Sequence, residues 1–244
     1  MTTGEKIRFV IIRSIGNFLL LFALFGVGAT FGPALYYEGR YRLIQARGIH
    51  FTVGHAQISF AESDSANAQE NKPQQPVQEV KLTQDLADIL AGEKEQILIP
   101  IDPLFNVLIP KIGANSRVFP NVDPSNSDVF IPILRQGVAH ARGTVFPGQK
   151  GNVYLFAHST DNFWDVGRYN AIFYLLKDLR AGDDVVVFSQ NVRHNYVVTG
   201  SSIVSSSEVS LITNAQTSKE QLILQTCWPP GTTWQRLMVF AEPK

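Results

Sequence analysis

A single cysteine, Cys227, stands in 244 residues, so no internal disulfide can form and the fold must come from burial and hydrogen bonding. That count leaves the redox compartment undecided. An excess of charge of either sign is also absent, with 21 Lys and Arg against 21 Asp and Glu. The balance hides a split, because Lys6, Arg8, Arg13, Arg40, Arg42 and Arg47 share the first 47 positions with only Glu5 and Glu38. The remainder is mildly acidic and has no basic run, which excludes the electrostatic footprint of a nucleic-acid binder. Metal-ligand spacing is missing too. Asp161 and Asp165 fall in one loop and read as a solvated turn, so neither a metal nor a cofactor is expected.

Charge is absent altogether between Arg13 and Glu38. The 24 positions from Ser14 to Tyr37 include the run Phe18-Leu19-Leu20-Leu21-Phe22-Ala23-Leu24-Phe25, more than the ~20 residues needed to cross hydrocarbon. Tyr36, Tyr37 and Tyr41 suit an interfacial aromatic belt, and Gly26, Gly28 and Gly32 are tolerated in membrane helices. The segment therefore reads as a transmembrane helix over 14–37 behind a short 1–13 terminus. A cleaved signal peptide, with Val27-Gly28-Ala29 as its small-residue site, and a buried core helix are the competing readings. Basic residues on both sides leave the orientation tied.

Leucine, isoleucine and aromatic residues are absent from Ala61 to Glu79, where Pro73 and Pro76 block regular structure, so this stretch reads as a flexible spacer. Next, Leu82, Leu86, Ile89 and Leu90 recur at helical spacing before Gly92 and predict a short amphipathic helix over Val80–Gly92. Residues 38–96 thus form a stalk and linker, and 97–244 a folded domain.

In that domain the texture is short apolar runs cut by turn residues: ILIP, FNVLIP, DVFIPIL, NVYLF, DDVVVF, NYVVTG, SSIVSS, QLILQTC and RLMVFAE. Their Val, Ile, Phe and Tyr content and spacing predict an all-β barrel or sandwich, read here as a barrel. A helix is expected only at Asn170–Leu179, where Ile172, Leu175, Leu176 and Leu179 share a face.

A lone cysteine in such a domain is either a small buried hydrophobe or a nucleophile. The nucleophile is the thiolate, which needs a base to take its proton or a cation to hold it off. His140, His158 and His194 are the candidates within the domain, His50 and His55 precede the spacer, and spacing alone does not choose among the three. QLILQTC ends a strand, Trp-Pro-Pro-Gly follows as a turn, and a second apolar strand starts at Arg236, so the two strands are expected to pair antiparallel with Arg236 near Cys227.

From about Ile109 to Lys244 the sequence resembles the sortase family. IPKIG resembles the opening strand, GVAHARGTVFPGQKGN the stretch around the second and third strands, and NVYLFAHS ends at the position of the family's catalytic His, here His158. LKDLRAGDD resembles the Leu-x-x-Leu-x-x-Gly-Asp segment through Leu176, Leu179, Gly182 and Asp183, while ILQTC matches the TLxTC motif at Leu224, Thr226 and Cys227. RLMVFA begins with the family's catalytic Arg, here Arg236. Two departures stand out: Ile223 replaces the motif's first Thr, and Ala157 precedes the His where many members have Gly. TDNFWDVGRYN, from Thr160 to Asn170, has no assigned counterpart and reads as core or groove.

The resemblance implies a sortase-like closed β-barrel of about eight strands with one or two short helices, preceded by the transmembrane helix. It implies that Cys227 attacks a carbonyl in an LPxTG-like signal near the C-terminus of a protein substrate. His158 would move the proton, Arg236 would stabilise the developing oxyanion, and Leu224 and Thr226 would contact the substrate. The acyl group would pass to an amine, from a cell-wall precursor or a pilin lysine. A thiol hydrolase and an inactive peptide-binding or scaffold module are the alternatives. Such chemistry belongs outside the cytoplasmic membrane, which breaks the charge tie: N-terminus inside, domain outside. The 19-residue spacer would then give a reach of ~25 Å from the anchor.

Overall fold

Eight strands close into a barrel in the computed structural model, which describes residues 3–54, 94–159 and 172–244. They are β3 (Phe105–Ile109), β4 (Ala114–Val122), β5 (Val138–Ala141), β6 (Gly151–Phe156), β7 (Asp184–Ser189), β8 (Val192–Ser205), β9 (Glu220–Trp228) and β10 (Gln235–Pro243). Their order around the barrel is β10-β8-β7-β3-β4-β5-β6-β9, closed by the β9–β10 pair. Two short strands, β1 (His50–Val53) and β2 (Glu95–Leu98), pair in parallel outside it. The expected closed all-β barrel with few helices is what forms.

The apolar runs become strands because alternate residues have two different places to go. Val107, Ile109, Val153, Leu155, Val185, Val187, Leu222, Leu224 and Val239 turn inward into one core cluster, each fully buried. Each such side chain stabilises the fold by about 1.5–3 kcal/mol relative to exposure. Two outer clusters lie on opposite flanks. Leu108, Val186 and Phe188 face outward on β3 and β7, and Tyr154, Phe156, Ile223 and Met238 on β6, β9 and β10.

One predicted strand is a helix. DVFIPIL lies in α2 (Ser127–Leu134), where the Asn126 side chain accepts the Asp128 N–H and Asp128 occupies the first turn. β4 and β5 run parallel, so the chain needs a crossover between them, and α2 supplies it. IPKIG is likewise not a strand: Ile109 ends β3, Pro110–Ile112 make a 3-10 turn, and Gly113 takes a left-handed conformation (φ 62°) that starts β4. NYVVTG and SSIVSS belong to one 14-residue strand, β8. A short helix, α3 (Ser210–Thr213), precedes β9. The described part of the expected 170–179 helix is a 3-10 helix over Tyr174–Asp178; its Leu175 and Leu176, with Phe173 and Leu179 on either side, plug the core.

Before the barrel, α1 runs unbroken from Thr3 to Arg47 and contains the whole of 14–37. Its stretch Thr3–Gly28 is long and apolar enough to cross a membrane, and none of that stretch is buried. The far end of α1 docks: Ile44 and Ile49 are buried with Phe51, Leu98, Leu108, Val186 and Phe188. Glu38 pairs with Lys177 at 2.9 Å. The spacer 61–79 and the predicted helix 80–92 lie outside the described residues. The two ends of their segment are tied together all the same, because His50 N donates to Lys94 O and Gly54 N to Leu98 O beside the β1–β2 pair. The C-terminal part of α1 and the β1–β2 pair thus pack directly against the barrel.

Candidate active site

Three strands bring the predicted residues together. β9 pairs antiparallel with β10 in a register that sets Cys227 opposite Arg236. On its other edge β9 runs parallel to β6, with Phe156 against Gln225. Beyond that pair, Ala157 N donates to Gln225 O at 3.1 Å, and Thr226 Oγ1 donates to Ala157 O at 3.0 Å across the same offset of 69 positions. Carried one step further, this offset sets His158 beside Cys227. Cys227 and Arg236 therefore face one another on β9 and β10, and His158 stands two residues past the end of β6.

Alternation assigns their face. Ala157, Leu224 and Leu237 belong to the barrel core, while Tyr154, Phe156, Ile223 and Met238 belong to the outer cluster. His158, Cys227 and Arg236 continue the outer series. His158 and Cys227 are half-buried, so a peptide laid on this face can reach them.

Burial pushes the Cys227 thiol above its ordinary pKa, and the Arg236 guanidinium opposes that shift. The resting thiol is therefore neutral at physiological pH, and forming a nucleophile requires a proton acceptor. An imidazole just past the end of the adjacent strand is suited to that task. Arg236 is held by its own loop, with Nη1 donating to Thr233 O at 3.0 Å and Gln235 O at 3.1 Å. The rest of its planar fork can serve negative charge that develops beside the sulfur.

The other described histidines stand elsewhere. His140 is fully buried, its ring beside those of Phe105 and Phe146, with Nε2 3.0 Å from Val145 O and Nδ1 accepting from Asn121 N. It is a structural histidine, as its sequence context suggests. His194 lines a cavity of about 300 Å³ with Phe146, Gln149 and Gln190, beside the turn that joins β7 to β8. His50 lies on β1, and His55 falls outside the described residues together with Asp161, Asp165 and the 160–170 segment. Among the described residues no three His, Cys, Asp or Glu side chains converge as metal ligands would.

Leu224 is 0% exposed in the barrel core, and the 2%-exposed Thr226 has its hydroxyl on Ala157 O. Both face away from the outer surface and pack within the strands, whereas the expectation was that they touch the substrate. Gln225 and Tyr154 are polar residues on the outer face beside the site. The Tyr154 hydroxyl donates to Gln225 Oε1 at 2.7 Å, and burial raises its pKa while Arg236 opposes the rise. Counting back two positions from Cys227 finds Gln225; Tyr154 required the register between strands.

A family model for the sortase domain matches residues 107–244, more than half of the chain and the whole of this barrel except its first strand's opening residues. The chain belongs to the sortase family. This sortase is 29% identical over 137 residues to "Sortase D" of Bacillus subtilis (strain 168), a match covering 55% of this chain and 60% of that relative's length. Among solved structures it is similar to sortase C-1 of Actinomyces oris, at 25% identity and a TM-score of 0.48, covering 59% of this chain and 76% of that one. It is also similar to a Clostridium perfringens sortase C described with the C-terminal cell wall sorting motif, at 24% identity and a TM-score of 0.46, covering 57% and 69%.

Proposed function

We propose that this sortase is a membrane-anchored cysteine transpeptidase that uses Cys227, His158 and Arg236. The observation that supports the reading is that Cys227 pairs with Arg236 across β9 and β10 while the parallel register of β6 on β9 leads to His158 on the other side of Cys227. The substrate is a protein with an LPxTG-like sorting signal near its C-terminus, a class supported by the sorting motif named for the Clostridium perfringens sortase C.

His158 takes the thiol proton as Cys227 Sγ attacks the scissile carbonyl carbon. The C–N bond then breaks, the proton passes from His158 to the departing amine, and a thioester remains on Cys227. An incoming amine gives its proton to His158 and attacks the thioester, so a new C–N bond forms, the C–S bond breaks and the proton returns to sulfur. Arg236 stays charged throughout and donates to the oxyanion of each tetrahedral intermediate, where one lost donor typically costs ~10² to 10³ in rate. The acceptor is an amine of a cell-wall precursor or a pilin lysine. The charge-free 14–37 part of α1 crosses the cytoplasmic membrane, with the N-terminus inside and the barrel outside.

Incubating the full chain with a panel of LPxTG-like peptides, with and without an amine such as triglycine, tests this by intact mass. The expected result is an acyl adduct on Cys227 that the amine converts to a ligated product. Water as the sole acceptor would identify a thiol hydrolase. Peptide binding that survives Cys227→Ala and His158→Ala, without turnover in the parent, would identify an inactive binding module.

A further inference from the structure

The strand directions fix where the site lies relative to the anchor. β6 and β9 run parallel, β6 ending at Phe156 two residues before His158 and β9 ending at Trp228 just past Cys227; β10 starts beside them, and β8 finishes there with Ser205 against Gln235. β7 runs antiparallel to β8, and β3 antiparallel to β7, so the end of β3, the Pro110–Ile112 turn and the start of β7 belong to the same end of the barrel. The plug formed by Phe173, Tyr174, Leu175, Leu176 and Leu179 is packed into the core beneath that end.

The contacts of α1 begin at this end and move away from it. Glu38 pairs with Lys177 of the plug, Tyr41 packs against the barrel core, and Gln45 Nε2 donates to Lys111 O at 3.4 Å. Phe51 then lies over Gly113, where an added Cβ would stand 3.1 Å from its ring, and Val53 O accepts from Arg193 Nη1 near the start of β8. The helix is continuous, and the first of these contact residues directly follows Tyr37, the last residue of the charge-free segment. Glu38 also lies only ten positions past Gly28, where the apolar stretch Thr3–Gly28 ends, a helical rise of ~15 Å, so the barrel end at Glu38 and Lys177 cannot lie far from the bilayer. Trp234, 74% exposed, stands on that end in the loop between β9 and β10, and Trp is a residue of membrane–water interfaces.

We infer that α1 docks the barrel with its catalytic end toward the bilayer that holds α1, placing Trp234 in the interfacial layer. The partner surface is the lipid headgroup layer of the chain's own membrane. The site is thereby placed close to peptide segments held near that surface. This inference rests on the reading of 14–37 as a membrane span, and it does not depend on the chemistry of Cys227.

The test uses the full chain in lipid nanodiscs with Cys227→Ser, carrying one thiol-reactive donor at Trp234→Cys or at Lys150→Cys, and an acceptor on the lipid headgroups. Lys150 precedes β6 at the opposite barrel end. Energy transfer at least twofold higher from position 234 than from 150 is expected. A Gly-Ser-Gly-Ser insertion between Tyr37 and Glu38 leaves every docking contact in place and frees the barrel from the helix axis, so it is expected to remove the difference. Equal transfer from the two positions, the reverse order, or a difference that survives the insertion would overturn the inference while leaving the anchor reading intact. A chain that fails to enter the nanodisc would overturn the anchor reading and this inference with it.

Discussion

The two outer flanks of the barrel carry similar apolar clusters and are finished differently. On β3 and β7 the cluster is sealed by the chain's own α1, β1 and β2, with Ile44, Ile49, Phe51 and Leu98 buried on it. On β6, β9 and β10 the cluster is covered by α2 and α3 through Phe130, Ile133, Leu211 and Ile212, and His158, Cys227 and Arg236 are only partly buried. One flank has its partners built in and contributes stability and attachment. The other leaves the half-buried Cys227 and His158 beside an apolar floor, the surface on which the proposed chemistry would take place. The same barrel thus has one flank sealed by its own chain and one carrying the proposed site.

The largest separation comes from Cys227→Ala. Acyl transfer is expected to fall by at least ~10⁴-fold with the melting temperature unchanged, checked by product formation and thermal unfolding side by side. Phe51→Ala attacks the other flank: it removes a ring that is 9% exposed and is expected to lower the unfolding free energy by about 3–5 kcal/mol. Turnover per folded molecule should be preserved, so denaturant titration and active-site counting should disagree in direction from the Cys227 result. Arg236→Ala returns to the chemical flank, with an expected loss of ~10² to 10³ in kcat and little change in stability.

Much of this comparison was legible in the sequence. The apolar runs announced the barrel strands because β-branched and aromatic residues at short spacing fit a pleated surface. His158, Cys227 and Arg236 were proposed from ordered motifs, and strand pairing sets Cys227 opposite Arg236. DVFIPIL was misread because a seven-residue apolar run suits a strand or a buried helix equally. What decided it was the Asn126 cap and the parallel β4–β5 crossover, and the second of these is visible only in three dimensions. Leu224 and Thr226 were assigned to substrate from their motif, although strand alternation around Cys227 turns both inward. The docking of α1 was not legible at all, since the β1–β2 pairing spans a long intervening segment with no local signal.

A smaller effect acts on both flanks at once. Burial holds the His140 imidazole below its ordinary pKa, partly opposed by its hydrogen bond to Val145. The unfolded chain therefore binds more protons than the folded one as pH drops below ~6.5, and stability present above that value is lost at up to ~1.4 kcal/mol per pH unit. Equilibrium unfolding between pH 7.5 and 5 should display this slope, and His140→Gln should flatten it. Smallest is Tyr154→Phe, which deletes the hydrogen bond to Gln225 and is expected to cost about 1 kcal/mol in the same assay.

The central claim is that Cys227, His158 and Arg236 work as one unit on one face, and the thiol itself reports it. The rate of Cys227 alkylation by iodoacetamide, followed by intact mass from pH 6 to 11, measures how readily the thiolate forms. The parent protein should react with a midpoint above that of an ordinary thiol, because burial dominates, and Arg236→Ala should move the midpoint higher still, because the opposing cation is gone. A midpoint that Arg236→Ala leaves unchanged or lowers would contradict the account.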